Sequence, residues 1–175
     1  MGVFFIAGVY GVGKSTIGEI ISENLKVPIY DASKLISDNV DEQYSLYKDV
    51  SDIDLNQKIL LKEVNRLLKT EKQLILNGHF CIFSKSHDVI HLPKSVYNDL
   101  KLEKIILIES SIDIVMHNLM RRQGKSIYTH GEMKILAKME KKLALQISNE
   151  LNIPLMILEY NNNKNIIREI EEEMK

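Results

Sequence analysis

Apolar residues in this 175-residue chain come in two patterns. Some form short unbroken runs; others recur every three or four positions. A short continuous run suits a strand buried on both faces, whereas three-to-four spacing lays one stripe along a helix. The runs Val3–Ala7, Val27–Tyr30, Gln73–Asn77, Lys104–Glu109 and Pro154–Leu158 predict five strands. Pro28 stands at the entry of the second, where a missing N–H is tolerated. Helical spacing appears in Ser15–Lys26 (Ile17, Ile20, Ile21, Leu25) and in Leu55–Lys69 (Ile59, Leu60, Val64, Leu67, Leu68). Further helices are predicted over Ile112–Arg122, Gly131–Leu151 and Lys164–Met174, with a short one from Pro93 to Leu100. Asp31–Ser37 reads as a capped helical turn, Asp38–Asp54 as a polar, acidic, mobile segment, and Gln123–His130 as a loop. Phe80–Leu92 fits either a hairpin around Lys85–Asp88 or an irregular excursion.

Short apolar strands alternating with helices predict an α/β architecture: a five-stranded parallel sheet covered on both faces, three layers in one domain spanning 1–175. Ligands in such sheets bind beyond the carboxyl ends of the strands. The residues that matter are therefore Gly8–Ser15, Asp31, Asn77–Phe80, Glu109 and Glu159–Asn161.

Composition narrows the field. The net charge of −1 excludes a strongly basic nucleic-acid binder. A single cysteine, Cys81, excludes an internal disulfide and a multi-cysteine zinc site, and reads as a small core residue. The remaining histidines, His87, His91, His117 and His130, show no metal-ligand spacing, so no zinc site is expected. No apolar run reaches the ~18 residues of a membrane span, and the N-terminus lacks a basic region before its apolar stretch. The expectation is a cytoplasmic protein with no membrane association.

Gly8-Val9-Tyr10-Gly11-Val12-Gly13-Lys14-Ser15 matches G-x-x-x-x-G-K-[ST] in full, between a predicted strand and a predicted helix. Glycines let successive N–H groups turn inward as an anion nest, and the helix adds its positive end. In this reading Lys14 bridges terminal phosphates, Ser15 ligates Mg²⁺ and Thr16 backs the α-phosphate. Gly8 to Thr16 thus form a site for Mg·ATP.

Four stretches in this order, Ile6–Thr16, Leu74–Phe80, Ile106–Ser111 and Leu119–Arg122, resemble the P-loop kinases of the adenylate-kinase-like group, and among them the archaeal-type adenylate kinases. The resemblance implies a P-loop NTPase fold with strand order 2-3-1-4-5, ATP as phosphoryl donor with Mg²⁺, and a small lid at about 121–130. Arg121 and Arg122 fit the arginines of such a lid, although both also suit a helix C-terminus. Relatives commonly carry Asp where this chain has Asn77; Asp31 or Glu109 would then supply the carboxylate near the metal. Asp31 equally fits a helix N-cap, and a capping role is favoured for Glu109. His79 lies in the expected crevice, either touching the acceptor or packed as a hydrogen-bonded core residue.

The acceptor segment, about 31–54, contains Asp31, Asp38, Asp41, Glu42, Asp49, Asp52 and Asp54 against Lys34 and Lys48, with no arginine. An acidic segment repels an anionic acceptor, so Lys34, Asp31 and His79 are the substrate-binding candidates. The leading expectation is a phosphotransferase acting on a nucleotide or nucleoside. An ATP-dependent switch that docks on a protein partner and a polynucleotide 5′-kinase are the alternatives; the charge balance speaks against the last. Tyr128 is a candidate for stacking on a base, and Tyr160 or Asn161 for backbone contacts to adenine.

Overall fold

The computed structural model describes residues 2–39, 53–124 and 127–160. The predicted helix 164–174, the Asn161 contact and most of the acidic segment lie outside them. β1 (Gly2–Ala7) leads into α1 (Lys14–Leu25), β2 (Ile29–Asp31), α2 (Ala32–Ser37), α3 (Ile53–Leu67) and β3 (Gln73–Asn77). There follow β4 (Cys81–Phe83), β5 (Val89–His91), α4 (Lys94–Asp99), β6 (Leu102–Glu109), α5 (Ile112–Gln123), α6 (His130–Leu151) and β7 (Leu155–Glu159).

The main sheet runs β2-β3-β1-β6-β7, all parallel. Numbered among themselves, its strands follow the order 2-3-1-4-5. This is the α/β P-loop NTPase fold. Its apolar runs explain it: Val3, Phe5, Ile6 and Ala7 of β1, Leu74–Leu76 of β3 and Ile105–Ile108 of β6 are buried. Neighbouring residues of β1 face opposite layers. Ile6 points to α1, beneath Gly18, while Phe5 packs on Phe80 and Tyr97 at ring-centroid distances of 5.0 and 5.6 Å. Each such aromatic pair contributes about 0.5–1.5 kcal/mol beyond the area it buries.

The register positions the site. Ile6 and Asp31 both pair with Asn77, so three strand ends come side by side. Of the two readings for Phe80–Leu92, the hairpin is the one observed: β4 and β5 pair antiparallel around Ser84–Asp88. His87 turns at φ 65°, and Ser84 N–H donates to the Asp88 carbonyl at 2.8 Å. Among the described residues no helix is long and apolar enough to cross a membrane.

Candidate active site

The loop after β1 keeps its shape through its own backbone and through three distant side chains. Gly11 and Gly13 have φ of 77° and 106°, and a Cβ on Gly13 would lie 2.7 Å from the Tyr160 ring, so both positions require glycine. Asn118 of α5 donates to the Gly11 carbonyl at 2.8 Å. Glu140 of α6, 1% exposed, accepts from the amide of Gly8 at 3.2 Å. The same carboxylate accepts from the amides of Phe80 and Cys81 at 2.9–3.0 Å. Burial raises the Glu140 carboxyl above its ordinary range, while these amides and Lys14 pull the other way. Glu140 also pushes up the Cys81 thiol, already raised by burial, which leaves that thiol unreactive.

Lys14 Nζ donates to the carbonyls of Gly8 (2.7 Å) and Val9 (3.1 Å) and lies 3.4 Å from His79 Nε2. Burial pushes its amine down to about 8; Arg122 adds to this, and Glu140 and Asp31 oppose it. Burial and Lys14 hold His79 neutral near pH 7. The backbone of Gly8, hydrogen-bonded to the ring, opposes this shift, and the ring's Nδ1 is buried without a partner among the described residues.

Asp31 flanks α2 as its N-cap residue, but its side chain makes no capping bond. It instead accepts from Asn77 Nδ2 at 2.9 Å. Glu109 is not the cap of α5 either. Ser111 caps that helix, through the Ile114 amide, and Glu109 pairs with Lys141 at 2.7 Å. Asp31 thus holds the N-cap position without the capping bond, and the structural cap favoured for Glu109 is corrected: its carboxylate pairs with an ammonium instead.

Two cavities meet at this point. One, about 460 Å³, lies over the loop and is lined by Gly11–Ser15, Arg122 and Tyr128. The other, about 350 Å³, runs between α2, α3 and the ends of β1 and β3. They share Tyr10, Lys14, Asp31, Ser33 and His79. Of the candidates read from sequence, Tyr10 to Ser15, Asp31, His79 and Arg122 thus converge. Gly8 and Val9 enter through the carbonyls that hold Lys14. Arg121 and Arg122 both lie in the last turn of α5, but Arg121, like the exposed Thr16 and Lys34, lines neither cavity. Tyr128 stacks on Tyr10 (5.9 Å, 12°) and packs on Phe83 (4.8 Å). Glu140, Asn118 and Gln57 of the second cavity are site residues not singled out from sequence. The signal was present for two of them. Glu140 sits in the apolar stripe Met133, Leu136, Leu143, Ala144 of α6, and Gln57 in the stripe Leu60, Val64, Leu67 of α3.

Residues 7–136, well over half of the chain, match the AAA domain family. The chain belongs to that family. No curated protein matches it. Among solved structures, this AAA domain chain is similar to a shikimate kinase from Bacteroides thetaiotaomicron, with 17% identity and a TM-score of 0.58 over 99% of this chain and 95% of that one. It is also similar to a gluconokinase from Sinorhizobium meliloti (17%, TM-score 0.57, 97% and 89% covered). A shikimate kinase from Acinetobacter baumannii, in complex with shikimate, is similar at 11% identity and a TM-score of 0.59, over 99% and 91%. At these identities the likeness is one of fold.

Proposed function

We propose that this chain is an ATP-dependent small-molecule kinase that transfers the γ-phosphoryl group of Mg·ATP to a nucleotide or nucleoside acceptor. One observation carries the reading: a cavity over the phosphate loop and a second, largely apolar cavity adjoin at Lys14, Asp31 and His79. A protein that only bound ATP would need the first alone. Similarity to structures named as shikimate kinase and gluconokinase supports phosphoryl transfer to a small molecule. The motif order shared with archaeal-type adenylate kinases supports an acceptor of the nucleotide class.

In this reading the acceptor oxygen attacks the γ-phosphorus, the bond to the β–γ bridging oxygen breaks, and ADP leaves. Asp31, held by the Asn77 amide, orients the acceptor hydroxyl and takes its proton. Lys14 exchanges its loop carbonyls for phosphate oxygens and neutralises developing charge, with Arg122 lining the same cavity. Ser15 and Asp31 offer hard oxygen donors on one cavity, a set that fits Mg²⁺ completed by phosphate oxygens and water; when bound, the ion neutralises phosphate charge. A single reduced cysteine and a near-neutral charge support a cytoplasmic setting.

The test is a thermal-shift titration with Mg·ATP combined with acceptor-dependent ADP release. At a hundredfold excess over Kd, ATP is expected to stabilise the protein by about 2.7 kcal/mol. Lys14→Ala is expected to abolish this shift. An ATP shift that survives Lys14→Ala would refute the site.

A further inference from the structure

The second cavity carries information that the phosphate loop does not. Of the described residues that line it, only Lys14 and Asp31 bear charge, one of each sign, and Lys14 is held on the phosphate side by the Gly8 and Val9 carbonyls. Among the described residues lining it, no arginine and no second lysine faces an acceptor. Among these residues a phosphate or carboxylate would find no cation of its own and would sit beside the Asp31 carboxylate, an unfavourable arrangement for a buried anion. The walls are apolar and partly aromatic, from Phe5, Tyr97, Ile36 and Leu60. Within them lies Gln57, 8% exposed, whose carboxamide is engaged by none of the described residues and is open to the cavity, where a ligand can reach it. Its side-by-side donor and acceptor match an amide-like edge.

We propose that the acceptor is an uncharged nucleoside, its base between the apolar walls and read at its amide-like edge by Gln57, its sugar hydroxyl at Asp31. The proposal rests on the kinase reading and deepens it. Three features of one ligand are required together: a flat apolar body, a donor–acceptor edge and a free hydroxyl. A nucleoside has all three within a cavity of about 350 Å³. The chemistry is the transfer already described, so the products are ADP and a nucleoside monophosphate, with the hydroxyl proton going to Asp31.

The experiment incubates the full chain with Mg·ATP and, separately, nucleosides, nucleoside 5′-monophosphates, and the hydroxy acids shikimate and gluconate, following ADP release and product mass. Nucleosides are expected to have kcat/KM about 100-fold or more above any anionic acceptor, and Gln57→Leu to raise the nucleoside KM about tenfold or more. Gln57→Glu keeps the size but loses the donor and is expected to act in the same direction. A retained ATP-induced thermal shift shows that both variants are folded. Transfer to a monophosphate or hydroxy acid in preference to nucleosides overturns the proposal and leaves the kinase reading standing. So does ATP binding with no nucleoside-dependent transfer, or an unchanged nucleoside KM in both variants. Absence of any ATP shift in the wild-type protein overturns the kinase reading itself and the proposal with it.

Discussion

The Glu140 carboxylate, in the middle of α6, accepts the amide of Gly8, the first glycine of the phosphate loop, 132 residues earlier in the chain. With its bonds to the Phe80 and Cys81 amides, it joins the ends of β1 and β3 through one buried side chain. Those amides point inward, away from water, and require an acceptor. Glu140→Gln replaces one acceptor oxygen by an NH₂ that faces donors. It is expected to lower stability by about 2–4 kcal/mol, read as a fall in the urea midpoint, and to weaken ATP binding because the loop loses its anchor. A midpoint shift of less than about 0.5 kcal/mol would show that the carboxylate is dispensable.

Lys14 is expected to make ATP binding depend on pH. Its amine titrates at about 8 rather than the ordinary 10.5, chiefly because it is buried. Bound phosphate favours the charged form and raises this value. The ATP dissociation constant is therefore expected to be flat below about pH 8 and to rise by up to about tenfold per unit above it. Stability of the ligand-free protein has the opposite sign. The folded-state value lies below the unfolded one, so the penalty of burying the ammonium is present below pH 8 and relieved as pH rises from 8 towards 10.5. Calorimetric ATP titrations from about pH 7 to 9 test the first statement; a dissociation constant that stays flat up to about pH 9 would show that the Lys14 amine does not titrate in that range.

The fold was legible because its signal is local. Each core strand is a short apolar run, and the phosphate-loop motif lies between a strand and an amphipathic helix, so Val3–Leu25 could be read outright. Register then brought Asp31 beside Asn77, which no local pattern encodes. Glu140 was missed for a definite reason. Among Lys138, Lys141 and Lys142 it reads as a solvated charge, although its spacing from Leu136 and Leu143 places it on the buried face. Gln57 has the same character. In both, the informative feature is a polar residue within an apolar stripe, whose meaning depends on what another part of the chain brings opposite. Lys34 shows the converse: charge alone nominated it, and the turn of α2 points it to solvent while Ser33 lines both cavities.

The adjacent arginines of α5 should separate. Arg122 lines the phosphate cavity and its charge reaches Lys14; Arg121, one residue earlier on the helix, lines neither cavity. Arg122→Ala is expected to lower kcat by about 10²–10³ with a smaller change in KM, as for loss of a group acting on transition-state charge. Arg121→Ala is expected to stay within about threefold of wild type. Equal losses in the two variants would mean that they serve the helix terminus rather than the phosphate.

Tyr128 stacks on Tyr10 of the phosphate loop. Thr129 caps α6, accepting from the Glu132 amide, while Glu132 accepts from the Thr129 amide and pairs with His87 of the hairpin at 2.7 Å. Those bonds hold the Glu132 carboxyl down at about 2. The residue just before this cap, Tyr128, is therefore set in place over Tyr10 and Phe83, with His87 at 5.2 Å. On the kinase reading, we propose that the ring seated there keeps water from the γ-phosphate until the acceptor is present. Tyr128→Ala removes ring contacts with Tyr10 and Phe83 of about 0.5–1.5 kcal/mol each. It is expected to raise acceptor-independent ADP release relative to transfer, while Tyr128→Phe, which keeps the ring, preserves the coupling. The ratio of the two rates in one assay decides the matter. If Tyr128→Ala lowers both in proportion, the stack serves binding rather than exclusion of water.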